Sequence, residues 1–489
     1  MYHSNLTMKK MKYTVKLISL AVVASVLFGS CSKDKLEEIN VNPNQATDAP
    51  LHTIVNAAMV GSILQIEGEN ARLAGIWTQQ FTGQDRQYLA YQTYDVNAGN
   101  FEWTGYYFGM AQQSNLAIEK AIEDGQSFYL GISYAIKGLS FGTMTALWGN
   151  IPYSQANNLV DFPTPEFDPQ ISVYNGVQSL LDNAITAFNS GGGDGQGIDW
   201  IYGGSADNWI KATNTLRARY ALHTGNYDEA ISYATSGILS STEDMLIPHT
   251  GGAYNQDMNV YYSFGKVDRE GYMGANDAHL PGLLRPDEYI YEEGTDDEKV
   301  FNFGFGAKHN EKTDETARFN DLYVFSDTIF GQWDLNYSSN WSATSPFPIV
   351  SAIENYLILA ECYSRNSDQS NALLHLNNAR AELATKYPEG QYDAYVENDF
   401  SAGGIADNGQ GSVASNLLYE ILLEKYASLA GQIEVFNDLR RTDNLLGLSP
   451  ASGGSFPERF LIPQTELDGN PTAPRQNASD LFVPTPVNQ

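Results

Sequence analysis

The side chains of this 489-residue chain best placed for chemistry are flat aromatics set among amides, in two stretches far apart in sequence. Residues 77–108 hold Trp77, Gln79, Gln80, Gln84, Arg86, Tyr88, Tyr91, Tyr94, Asn97, Asn100 and Trp103. Residues 254–341 hold Tyr261, Tyr262, Tyr272, Asn276, Trp333, Tyr337 and Trp341. A sugar ring has apolar C–H faces and a rim of hydroxyls, so its site needs aromatic platforms beside hydrogen-bonding groups. A peptide would use the same platforms with more backbone hydrogen bonds. Trp77, Arg86, Tyr88, Tyr94, Asn97, Tyr272, Trp333, Tyr337 and Trp341 are therefore the candidate ligand contacts. Most aromatics of a folded chain are core. Tyr88, Trp333, Tyr337 and Trp341 stand apart because their sequence neighbours are polar and loop-like.

Catalytic patterns are missing. There is no G-x-S-x-G elbow, no P-loop and no H-E-x-x-H, and the seven histidines are scattered without ligand spacing. A glycosidase needs two facing carboxyl groups, and spacing singles out no pair among 58 acids. Gly304-Phe305-Gly306 lacks the third glycine of a dinucleotide loop, and the stretch 194–199 lacks the alternating acids of a calcium loop. The expectation is a binding protein, not an enzyme, with no catalytic residues, no metal and no cofactor.

Cys31 is the other reactive group. Lys9, Lys10, Lys12 and Lys16 precede an apolar run from Leu17 to Phe28, too short to span a bilayer core, and Gly29-Ser30 then leads into the cysteine. A thiol after small residues at that place looks like a bacterial lipobox, whose cysteine is acylated and becomes the first residue. The pattern predicts a signal peptide over 1–30, a lipid anchor at Cys31 and a polar tether over 31–50. Asp34, Glu37 and Glu38 resemble a surface-export signal, so the expected place is the outer membrane, facing outward. Cys362, in LILAECYS, reads as a small buried hydrophobe.

Charge narrows the ligand. The formal value is 28 − 58 = −30, and loss of residues 1–30 removes four lysines and no acid, giving −34. Such a field repels nucleic acid and favours neutral or cationic ligands.

The elements that must position these groups read as helices. Apolar residues recur at helical spacing from Leu51, over 101–124 and 128–148, and from Asp168-Pro169 to about Phe188, where the aspartate is expected to cap. Residues 206–240 read as two helices around Gly225-Asn226, and 350–386 as a second hairpin, like tetratricopeptide pairs. Helix resumes from Ser412 to Gln432, and the tail after Leu446 reads as extended. The fold class is mainly α, with tetratricopeptide-like hairpins as a scaffold. Residues 241–346 break the pattern as a loop-rich insertion with short strands, such as 300–305 and 322–325, and form the expected ligand-facing part of one domain over 51–489.

Four stretches in order carry a resemblance. They are LWGNIPYSQA (147–156), DWIYGGSADNWIKATNTLRARYAL (199–222), LLEKYASLAGQIEVFNDLRRTDN (422–444) and FPERFLIPQTELDGNP (456–471). Together they resemble the SusD/RagB family of outer-membrane nutrient-binding lipoproteins, over most of the mature chain. The resemblance implies a helical scaffold at the mouth of a SusC-like TonB-dependent transporter. It also implies binding of an oligosaccharide, or a peptide in some members, that is passed to that partner. Within these motifs Asn214, Arg217, Arg440 and Arg441 read as scaffold rather than site, and Trp148 and Pro152 as fixing a helix end and turn.

Overall fold

Helix α5 (Ser127–Trp148) is apolar around nearly its whole circumference and is buried accordingly, as a helix at the centre of a bundle must be. Small residues let neighbours approach it: a Cβ at Gly138 would meet the Leu181 side chain at 2.7 Å and one at Gly142 the Tyr220 ring at 2.2 Å. The computed structural model describes residues 49–489 except 194, 196, 253–256, 294–296, 303 and 326–332. Cys31, the signal peptide and nearly all of the tether lie outside the described residues. Leu51–Gln489 forms one compact unit.

The order begins with α1 (Leu51–Ile66), α2 (Glu69–Trp77), β1 (Thr82–Gly83) and α3 (Arg86–Gln92). A π-helical stretch, Gly105–Gln112, runs into α4 (Gln113–Glu123), which pairs with α5. Helix α6 (Gln170–Asn189) packs on α5 and on α7 (Ala206–His223), whose hairpin partner is α8 (Tyr227–Ala234). The turn needs the left-handed backbone of Gly225, φ 71°. A further hairpin joins α10 (Ala352–Arg365), capped by Ser351, to α11 (Gln369–Lys386), capped by Asp368, before α12 (Val413–Ser428) and α13 (Glu434–Arg441). Leu357, Ile358, Leu359 and Cys362 of α10 are fully buried, and each large aliphatic contributes about 1.5–3 kcal/mol. Burial also pushes the Cys362 thiol up to about 12.

Between the second and third pairs lie short antiparallel two-stranded sheets: β2 (Met245–Ile247) with β9 (Phe347–Val350), β3 (Met273–Gly274) with β1, and β4 (Glu288–Glu293) with β5 (Asp297–Asn302). Strand β6 (Thr313–Asp314) pairs with β10 (Gln391–Tyr392), and β7 (Tyr323–Phe325) with β8 (Trp333–Leu335). A short helix, α9 (Thr316–Leu322), precedes β7.

Two sequence expectations change. Helix α6 starts at Gln170 with Pro169 in the cap position, because the Asp168 carboxylate is taken by the N–H groups of Tyr153 and Ser154, each at 2.8 Å. The tail is not simply extended: Phe456, Phe460, Leu461 and Ile462 enter the core, and the Trp148 indole N–H donates to the Leu461 carbonyl at 2.8 Å.

Buried ion pairs bind the pieces together. Arg219 of α7 grips Glu354 of α10 through two bonds of 2.7 Å, while His223 and Glu434 meet at 2.8 Å. Arg440 donates to the carbonyls of Ala146 and Glu458, both at 2.9 Å, and Arg441 to the Glu361 carboxylate at 2.6 and 2.5 Å. Asn214 donates to the Ser236 carbonyl at 3.3 Å, and Arg217 lies 4.0 Å over the Tyr233 ring. These four serve the scaffold. The insertion is anchored by Lys308 and Arg318, which reach Glu424 of α12 at 2.7 and 2.8 Å, with Glu315 completing the cluster.

Candidate functional site

The two aromatic stretches meet through the β1–β3 ladder, with Thr82 opposite Gly274 and Gly83 opposite Met273. The pairing continues outward: the Gln84 N–H donates to the Tyr272 carbonyl at 2.8 Å, and the Thr82 hydroxyl donates to the Asn276 carbonyl. On the other side the Ala275 N–H donates to the Trp333 carbonyl at 3.0 Å, bringing in β8. Strands of two or three residues thus place Arg86, Tyr272 and Trp333 along one connected edge.

Tyr272 and Trp333 are both half-buried. Trp333 rests edge-on against Phe319 of α9 at 4.8 Å and Phe325 of β7 at 5.4 Å between ring centroids. The guanidinium groups of Arg86 and Arg269 each lie 5.8 Å from the centre of the Tyr272 ring. The Arg86 side chain is 71% exposed. Arg269, not singled out in the sequence, is delivered by a π-helical stretch, Ser263–Asp268, closed by its own N–H donating to the Phe264 carbonyl at 2.8 Å. Helices of that type concentrate at functional sites, but no sequence signal marks one.

The backbone here is strained. Gln79 (φ 59°), Arg86 (φ 47°) and Asp277 (φ 56°) are three of the eight non-glycine residues in the left-handed region among the described residues. Each costs roughly 1 kcal/mol or more and persists where surrounding structure over-determines it, often at ligand sites. The Gln79 carbonyl, turned by that φ, accepts from the N–H groups of His279 and Leu280 at 2.8 and 3.1 Å.

The other candidates do not join this edge as platforms. Trp77 is fully buried among Tyr94, Phe101, Phe436 and Phe460. Tyr88 is buried, accepting from the Arg72 guanidinium at 2.8 Å and packing 4.7 Å from Phe264. Tyr94 is buried, its hydroxyl accepting the Ala451 N–H at 3.1 Å. Tyr337 is buried against Gly265. Trp341 is buried against Tyr261 and Phe81, its indole N–H donating to the Leu322 carbonyl at 2.8 Å. Asn97 is exposed and caps a short turn, accepting the Gly99 N–H at 2.8 Å. For Tyr88, Tyr337 and Trp341 polar neighbours are a false guide, because those neighbours close their own turns. Asn336 accepts the Ser338 N–H at 3.0 Å, and Ser342 and Ser345 pair at 2.8 Å, leaving the rings to the core.

The remaining edge holds a half-buried tyrosine and a half-buried tryptophan with two guanidinium groups. It can stack a ring and donate hydrogen bonds to hydroxyl or carbonyl oxygens. Among the described residues, no group of three or more His, Cys, Asp or Glu side chains is arranged to hold a metal, and no helix is long and apolar enough to cross a membrane.

A family model described as starch-binding associating with outer membrane matches residues 43–463. This chain belongs to the SusD-like family. Solved structures share the mainly helical fold. A SusD/RagB family protein from Bacteroides thetaiotaomicron is 18% identical, with 90% of this chain and 99% of that one covered and a TM-score of 0.63. A SusD homologue from Bacteroides fragilis is 19% identical over 87% and 94% of the two chains, also with a TM-score of 0.63. A chitin-binding protein is 18% identical over 86% and 94%, with a TM-score of 0.59. No curated protein sequence matches the chain.

Proposed function

We propose that this SusD-like protein binds a nutrient oligosaccharide on the edge formed by Arg86, Tyr272, Arg269 and Trp333. It then delivers the glycan unchanged to a TonB-dependent outer-membrane transporter. The observation that carries this reading is the β1–β3 ladder, which joins the two aromatic stretches and sets the half-buried Tyr272 beside two guanidinium donors. The family's description as starch-binding and the chitin-binding title of one structural relative support a carbohydrate over other ligands. Binding needs no acid, base or nucleophile. Acylation at Cys31 would hold the body at the membrane beside its partner, with 32–50 as a tether.

The test is calorimetry of the full-length protein in detergent with maltoheptaose and chitohexaose, followed by mass analysis of the recovered sugar. Saturable binding with intact ligand is expected, weakened about tenfold, or roughly 1.4 kcal/mol, by Trp333→Ala. Shortened product, or affinity indifferent to Trp333 and Arg86, would overturn the reading. In cells Cys31→Ala should release the protein from the membrane fraction while its glycan affinity stays the same.

A further inference from the structure

A second concave region lies away from the platform residues, none of which lines it. It is a cleft of about 840 Å³ bounded by the turn before β2, helix α9, the segment 339–348 and the end of α11. That size suits a ligand of a few residues, since small-molecule sites span roughly 300–1,000 Å³. Apolar surface comes from Leu246, Pro346, Pro348, Ile353 and Pro388, with the buried Trp341, Phe347 and Tyr387 behind them. Among the described residues its charged lining is one-sided: Asp244, Asp321, Glu382 and Glu389 against Lys386, a local balance of 1 − 4 = −3.

The scaffold fixes three of these carboxylates. Asp321 accepts from the Tyr387 hydroxyl at 3.3 Å and from the Ser339 hydroxyl. Asp244 accepts the Ala352 N–H at 2.7 Å, and Glu382 the Ser241 N–H at 3.0 Å. An ionised carboxylate has about four acceptor positions, so these bonds hold the groups in place without exhausting them. Like charges gathered on walls of low dielectric constant raise the local concentration of counter-charge.

We propose that this cleft is a binding site, separate from the sugar platform, for a ligand carrying two or more primary ammonium groups, such as a lysine-rich peptide segment or a polyamine. The accessible apolar side chains take the methylene stems and the carboxylates take the ammonium heads. Asp244 supplies an independent readout. Burial first, and then the charges of Glu382 and Glu354, push its carboxyl up to about 7, opposed by the Ala352 N–H and Lys386. An arriving ammonium group favours the ionised form, so binding near neutrality releases a proton.

The experiment titrates the full-length protein with penta-lysine, its fully Nε-acetylated counterpart, and spermine, in two buffers of different ionisation enthalpy. Penta-lysine or spermine should bind while the acetylated peptide does not; the two cationic arms distinguish a peptide source from a polyamine. Affinity should rise severalfold from pH 6 to pH 8, with proton release near pH 7. Glu382→Gln combined with Glu389→Gln should weaken binding about tenfold. The paired control Glu119→Gln and Glu123→Gln, exposed on α4 and absent from the cleft, removes equal charge and should change it little. Trp333→Ala should leave ammonium binding intact, which separates failure of this site from failure of the sugar platform. Equal binding of the acetylated peptide, equal losses in both charge pairs, or no binding by either cation would overturn the proposal.

Discussion

The platform and the cleft lean on the same short helix and present different charged groups. Phe319 of α9 supports Trp333 at the platform, whereas Ala317, Asp321 and Leu322 of the same helix line the cleft. The platform gathers Arg86 and Arg269 around a tyrosine in a protein of net charge −30, while the cleft concentrates carboxylates. Net charge sets the long-range field, but local placement decides which groups a ligand meets at contact, and Arg86 meets it with Asp85 beside it at 3.6 Å. The two also differ in backbone. The platform uses residues forced into left-handed conformations and a π-helical stretch, while the cleft is bounded largely by regular hairpin ends and turns.

Breaking what the two regions share should have the largest effect. Glu424 lies between Lys308 and Arg318, which hold it well below the usual carboxylate range despite its burial. Its contribution is present above the unfolded carboxylate value and is lost as pH falls below it. Glu424→Ala strands buried cations and should cost about 3–5 kcal/mol in denaturant unfolding. It should also lower affinity at both sites, because the anchor fixes the segment that leads into α9. If stability falls while both sites bind normally, α9 is not their common support.

The next effects separate the regions. Trp333→Ala should lower glycan affinity about tenfold without touching ammonium binding, and the paired cleft variant should do the reverse. A loss of both ligands from either variant would mean one continuous site. Arg86→Gly sharpens the contrast in backbone. Relief of the left-handed conformation, less the chain entropy of glycine, should raise stability by about 0.5 kcal/mol, while loss of the guanidinium weakens glycan binding severalfold. Opposite signs in melting and binding would mark the strain as serving the ligand. The smallest effect is expected at Asp244, which is partly exposed and screened. Its raised carboxyl makes the fold lose stability as pH climbs from its unfolded value toward about 7. Asp244→Asn keeps an acceptor for Ala352, so its melting temperature should be flatter over that range.

Much of the scaffold was legible because its signals are local. Gly225-Asn226 announces a turn, and the helical periods over 206–240 and 350–386 announce the paired helices. Asp168 misled because its competing partners, Tyr153 and Ser154, lie across a loop. The candidate site was half legible. Residue types identified two stretches that the β1–β3 ladder brings together, with Arg86 5.8 Å from the Tyr272 ring and the Trp333 carbonyl bonded to Ala275. Arg269 was missed, and Tyr88, Tyr337 and Trp341 turned inward.

Sequence alone determined the helical pairs, the order of the four family stretches and the lipobox-like setting of Cys31. All of these depend on contacts or recognition within a few residues. Tertiary structure decided which rings enter the core and which stay half-buried, since exposure depends on what packs from elsewhere in the chain. It also decided that Thr82 pairs with Gly274, that four carboxylates share one cleft, and that Asp244 holds its proton toward neutrality. Burial and Coulomb energies depend on distance in space, which sequence spacing does not encode.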